Sequence, residues 1–127
     1  MFIIIKMELA RFFFTFQNNL KMYHWQTNVY ARHISSDALF NTIITLSDKF
    51  METYQGKYKK LDNTGTFEIQ CKHFNDDEIV DALKKATVFL SNLVNYKFLS
   101  KEDTELLNIR DDINGRIQNT IYLFTFQ

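Results

Sequence analysis

Apolar residues recur at helical spacing in four stretches of the chain. Over residues 4–27, Leu9, Phe13, Phe16, Leu20 and Tyr23 fall three or four apart, with Phe12 widening the stripe. Over residues 32–58 the same spacing runs through Leu39, Ile43, Leu46, Phe50 and Tyr54, with no Pro and no Gly before Gly56. A third helix is expected from Asn75 or Asp76. Asp76, Asp77 and Glu78 give it an acidic first turn, and Ile79, Leu83, Ala86, Leu90 and Leu93 mark its buried side. A fourth is expected from Ser100, where Ser100 and Asp103 resemble a capping box; Leu106, Ile113, Ile117, Ile121 and Phe124 form its stripe. Gly115 interrupts that helix at about 1 kcal/mol relative to Ala, and close packing is the reason expected for it.

The connections set the architecture. A short link near Asn28–Arg32 makes the first two helices antiparallel neighbours and puts His24 and His33 at one end of the hairpin. Residues 59–74 show no helical period and read as a crossover long enough to run back along the bundle. The expected fold is all-α: one four-helix-bundle domain over residues 1–127, with one long crossover between helices two and three, the ferritin-like arrangement.

The second helix carries more than a core stripe. With His33 as the zero of rotation, Asp37 lies near about 40°, Asp48 near about 60° and Glu52 near about 100°. Phe40, Ile44 and Met51 lie within roughly 20° of zero, so acids and a histidine are set into a second apolar face. His33 and Asp48 are about 22 Å apart along the helix, too far for one ion to touch both. Two copies packed antiparallel about a twofold axis near residue 41 would bring His33 of one beside Asp48 and Glu52 of the other. Phe40 and Ile44 would then meet their symmetry mates.

Charge and composition narrow the function. Fifteen basic and fifteen acidic residues give zero net charge, which argues against a general grip on DNA or an anionic membrane. A single Cys71 forms no internal disulfide and suits a reducing compartment. The apolar start is cut by Lys6, Glu8 and Arg11, a poor signal peptide and a poor membrane span. A soluble, intracellular, cytoplasmic protein is expected.

The chemistry-bearing set is His24, His33, Asp37, Asp48 and Glu52. Imidazole nitrogens with carboxylates suit Fe(II), with Zn or Mn as alternatives, and not a thiolate-seeking metal. The plain alternative treats each His as a hydrogen-bonded neutral residue and Asp48 with Glu52 as an acidic face pairing with Lys49. Against it, carboxylates on a half-apolar face each need a cation nearby. His73 reads as a surface or capping residue. Glu8, Asp76 and Asp81 read as solvated or dipole-complementing. Asp111 and Asp112 lack a Glu-x-x-His partner, so an intrasubunit di-iron site is not expected.

His24-Trp25, His33-x-x-x-Asp37 and Asp48-x-x-x-Glu52, the last pair beginning fifteen positions after His33, resemble the ferroxidase motif of the Dps-like miniferritins. Residues 20–58 are also similar to small uncharacterised ferritin-like proteins of phages and large viruses. The resemblance implies Fe(II) oxidation by peroxide or dioxygen at a site shared across a homodimer, di-iron in form, with iron stored in a shell-like oligomer. It also implies a viral origin. The link between Trp25 and His33 is shorter than in typical miniferritins and lacks their Gly-Pro. The Lys-rich DNA-gripping tail is missing, and the crossover shows no obvious extra helix. A non-enzymatic helical dimer with a degenerate or Zn-holding site is the competing reading.

Overall fold

A computed structural model describes residues 2–61 and 65–126, with side chains from residue 7 onward. It contains four α-helices: α1 (Phe2–Gln26), α2 (Tyr30–Lys57), α3 (Asp76–Ser91) and α4 (Thr104–Leu123). No strand occurs among the described residues. α2 packs on both α1 and α4, and α4 packs on α3.

The apolar stripes become the core. Leu9, Phe13, Leu20 and Tyr23 of α1 meet Leu39, Ile43, Phe50 and Tyr54 of α2, all buried. Ile79, Leu83 and Leu90 of α3 join Leu106, Ile109, Ile113 and Ile117 of α4. Each such side chain contributes about 1.5–3 kcal/mol by leaving water. Phe13 and Phe50 meet edge to face at 5.4 Å, tying α1 to α2. Phe16, Leu46 and Ile121 are only half-buried at the edges of their stripes.

α2 approaches its neighbours over three buried serines, Ser35, Ser36 and Ser47. Ser35 and Ser36 donate to carbonyls one turn back, and Ser47 accepts from Gln17 Nε2 of α1 at 2.7 Å. Each hydroxyl is satisfied while staying small.

α3 starts on a full capping box. Asn75 accepts from the backbone N–H of Asp77 and Glu78, and Glu78 accepts from Asn75 N–H at 3.0 Å. Asp76 stands in the acidic first turn, as expected, and its carboxylate also has partners outside the helix. It accepts from Tyr23 Oη at 2.6 Å and Thr27 Oγ1 at 3.0 Å, and Arg32 donates to its carbonyl at 2.5 Å. This fixes the start of α3 against the α1–α2 turn.

α4 begins at Thr104, not at Ser100. Asp103 is its N-cap, yet the carboxylate makes no cap bond because it turns inward. There, 2% exposed, it accepts from Lys57 Nζ at 2.5 Å, Ser100 N–H at 2.8 Å and Tyr58 Oη. Residues 100–103 form a turn around that carboxylate. Burial alone would raise the Asp103 pKa; the bonds from Lys57, Tyr58 and Ser100 outweigh it and hold the carboxyl below its usual value. Burial and the bond to Asp103 push Tyr58 up to about 12.

Close packing does not explain Gly115. It is exposed, and a Cβ there would meet nothing within 4 Å. Gly115→Ala should therefore raise stability by about 0.5–1 kcal/mol in urea melts, because only backbone entropy is at stake.

Asp103→Ala should cost about 2–4 kcal/mol, since it strands three donors around a buried site. Thermal melts against pH carry a sharper expectation. The Asp103 contribution is present above the unfolded carboxyl value of 3.8 and disappears as pH falls through its lower folded value. The Tyr58 contribution is present below 10.0 and disappears as pH rises towards about 12. Asp103→Asn should flatten the acid limb.

Candidate metal centre

His24 lies in the last turn of α1 and His33 in the first turns of α2. The carbonyls of a last helical turn have no partner within their own helix. His33 Nδ1 donates to the His24 carbonyl at 2.8 Å, and His24 Nδ1 donates to the His33 carbonyl at 2.6 Å. The rings stack with centroids 4.0 Å apart and planes 15° apart. A carbonyl can only accept, so both Nδ1 atoms carry hydrogen. In the neutral ring that leaves the Nε2 lone pair free on each, the state a metal-binding histidine requires. The shorter link between Trp25 and His33 thus still lets the two rings meet.

Asp37 stands one turn along α2. Its Oδ1 is 3.8 Å from His24 Nε2 and 2.8 Å from Lys21 Nζ. The hydrogen bond from Lys21 holds the Asp37 carboxyl below its usual value. Lys21 also sits 4.4 Å from the centroid of Phe40, so the ammonium bridges a ring and a carboxylate. One chain therefore gathers His24, His33 and Asp37, with Lys21 supplying the cation.

Asp48 and Glu52 are not part of that cluster. Both are exposed further along α2, with no ion pair to Lys49 or any other residue among those described. Among the described residues, no group of three or more His, Cys, Asp and Glu is placed to hold a metal ion. In its donor chemistry the cluster fits a metal: two lone-pair nitrogens and a carboxylate. It is incomplete, because the carboxylate is engaged by Lys21.

The outer face of α2 keeps apolar residues in water. Tyr30, Ile34 and Ile44 are exposed there, and Trp25 beside His24 is 70% exposed. Phe40 is half-buried, partly under Lys21. His73 pairs with Gln26 Nε2 at 2.7 Å, away from the cluster. Glu8 pairs with Arg11, and Asp81 with Lys85 at 3.0 Å.

Lys21 is the residue that sequence reasoning missed. It precedes His24 by three positions and so shares its helix face. That spacing was the available signal; a lysine on a surface helix ordinarily reads as solvated.

No helix among the described residues is long and apolar enough to cross a membrane. Neither the curated proteins nor the solved structures contain a match to the chain. A family model does match, over residues 24–124, a span that opens on His24 and takes in His33, Asp37, Asp48 and Glu52. The chain belongs to that family, a family of unknown function designated DUF5856.

Proposed function

We propose that this protein is a Dps-like iron-binding bundle whose metal site is completed across a twofold homodimer. The observation that carries the reading is the crossed pair of Nδ1–H bonds to backbone carbonyls, which leaves both Nε2 atoms as donors. Near-parallel rings at 4.0 Å suit one ion per ring, which favours a pair of ions. His24, His33 and Asp37 come from one chain. Asp48 and Glu52 of the mate would add the missing carboxylates, and their lack of internal partners is what this arrangement needs. Fe(II) is then the substrate, each ion giving up one electron to peroxide or dioxygen. The carboxylates neutralise the growing positive charge.

The ferritin-like topology with one long crossover belongs to the same proposal. Contacts of the α2–α3 connection support it. Phe67 stacks on Phe14 at 6.3 Å, Arg11 donates to the Glu68 carbonyl at 3.2 Å, and Lys72 N–H donates to Asn19 at 2.7 Å. Residues 67 and 68 thus meet α1 at Phe14 and Arg11, and residue 72 meets it further on, at Asn19. An intracellular setting, which rests on the lone Cys71 and the charge-interrupted start, completes the reading, with a shell-like oligomer and a viral origin that rest on the motif resemblance.

A second reading has its own observation. The Lys21–Asp37 pair already supplies Asp37 with a cation, so a metal-free or Zn-holding dimer with no oxidation chemistry is self-consistent.

The decisive measurement is ferric absorbance after Fe(II) is added with peroxide or in air. Wild type should oxidise Fe(II) faster than buffer, and His33→Ala and Asp48→Ala should each remove that excess rate. Mixing the two variants should restore part of it, because a mixed dimer keeps one intact site. Unaltered oxidation in both variants would sink the enzymatic reading.

Lys21→Met tests the metal site itself, whichever ion it takes. If a metal must displace the ammonium, this variant should bind Zn(II) or Fe(II) about tenfold more tightly in titration calorimetry. Under the second reading the protein stays dimeric by sedimentation and oxidises Fe(II) no faster than buffer; its metal-free form is also unchanged in melting under chelator.

A further inference from the structure

The bundle is open along one side, between α1 and α3. The backbones of these two helices make little contact, unlike those of the other adjacent pairs. A slot of about 890 Å³ lies between them. Its walls are aromatic, from Phe12, Phe16, Phe74 and Phe89, and Ala82 on α3 makes the room. Leu20, Ile79 and Leu83 line its depth. None of this belongs to the histidine cluster or to the outer face of α2.

Two ties cross the slot, whose lining runs from Glu8 to Leu20 along α1. Phe12 of α1 stacks on Phe89 of α3, centroids 4.4 Å apart. Lys72 N–H binds Asn19 and brings Phe74 against the gap. Phe12 and Asn19 are seven positions apart, so the clear length between the two ties is about 10 Å. A partner helix laid in the groove would have to pass both ties. An open slot barred at this spacing instead suits a small molecule. Its volume and its mostly apolar lining are those of small-ligand sites.

Charge at the mouth narrows the class. Arg11 is paired with Glu8 and Lys85 with Asp81. Lys72 lies over the Phe74 ring, 5.4 Å from its centroid, and Asp77 and Glu78 share its end of the slot. An anionic head would face those acids, and a cationic one would face Lys72. A molecule without charge avoids both costs.

We propose that the α1–α3 slot is a binding site for a small, uncharged, ring-containing apolar molecule. Stacking between the Phe12–Phe89 pair and Phe74 holds its ring, and burial against Leu20, Ile79 and Leu83 supplies the affinity.

The probe for this site is N-phenyl-1-naphthylamine, uncharged and fluorescent in apolar surroundings. Its emission should rise saturably with protein, and unlabelled naphthalene should displace it. Ala82→Phe fills the slot and should weaken binding about tenfold or more at unchanged helicity. Should that variant not fold, methyl NMR of the wild type decides: naphthalene should shift Leu20, Ile79 and Leu83 and leave Ile43 and Ile113 in place. Unsaturable emission, equal binding by a folded Ala82→Phe, or shifts scattered over the surface would each overturn the proposal. Iron oxidation plays no part in any readout, so this site and the metal centre stand or fall separately.

Discussion

Two backbone oxygens at the α1–α2 turn govern what the histidines of this protein can do. A helix that ends leaves carbonyls without partners, and here an imidazole from the next helix supplies one. The debt is returned, since the second carbonyl takes the Nδ1–H of the first ring. The hairpin is closed, the rings are stacked, and the tautomer of each is decided by the same two bonds. Backbone geometry thus sets the side-chain chemistry before any ligand arrives. It also explains how the turn between Gln26 and Tyr30 can be so brief without separating His24 from His33.

The opposite end of the bundle is fixed by different means. A buried carboxylate, Asp103, draws the end of α2 and the start of α4 together through Lys57 and Tyr58. Charge at that end is spent on architecture. At the histidine end, Lys21 and Asp37 lie nearer the surface, where their pairing is exchangeable. The same kind of ion pair therefore plays two roles, according to how deeply it is sunk.

The helices were legible because their stripes were long and unbroken. The bounds of α1 and α2 agree with the periodicity to within two residues at each end. α4 was read too early. Ser100 and Asp103 do interact, but through a turn, because the acid serves Tyr58 and Lys57 at the end of another helix, a demand invisible locally. Asp76 was legible as a first-turn acid, but its partners Tyr23 and Thr27, about fifty positions away, were not. Gly115 was credited with a packing role that the open surface around it denies. In the site, the meeting of His24 and His33 followed from a short hairpin. Asp37 joined them by lying one turn beyond His33. Lys21 was not foreseen, since its spacing from His24 gives it the right face but does not say that it will pair with Asp37 instead of water.

The chain has a single tryptophan, Trp25, and it is both solvent-exposed and covalently next to His24. All indole emission of the molecule thus originates within one peptide unit of the imidazole pair. Indole fluorescence, excited to the red of the six tyrosines, becomes a built-in optical gauge of that corner. A paramagnetic ion arriving there would dim it, and a second chain laid over it would shift its colour.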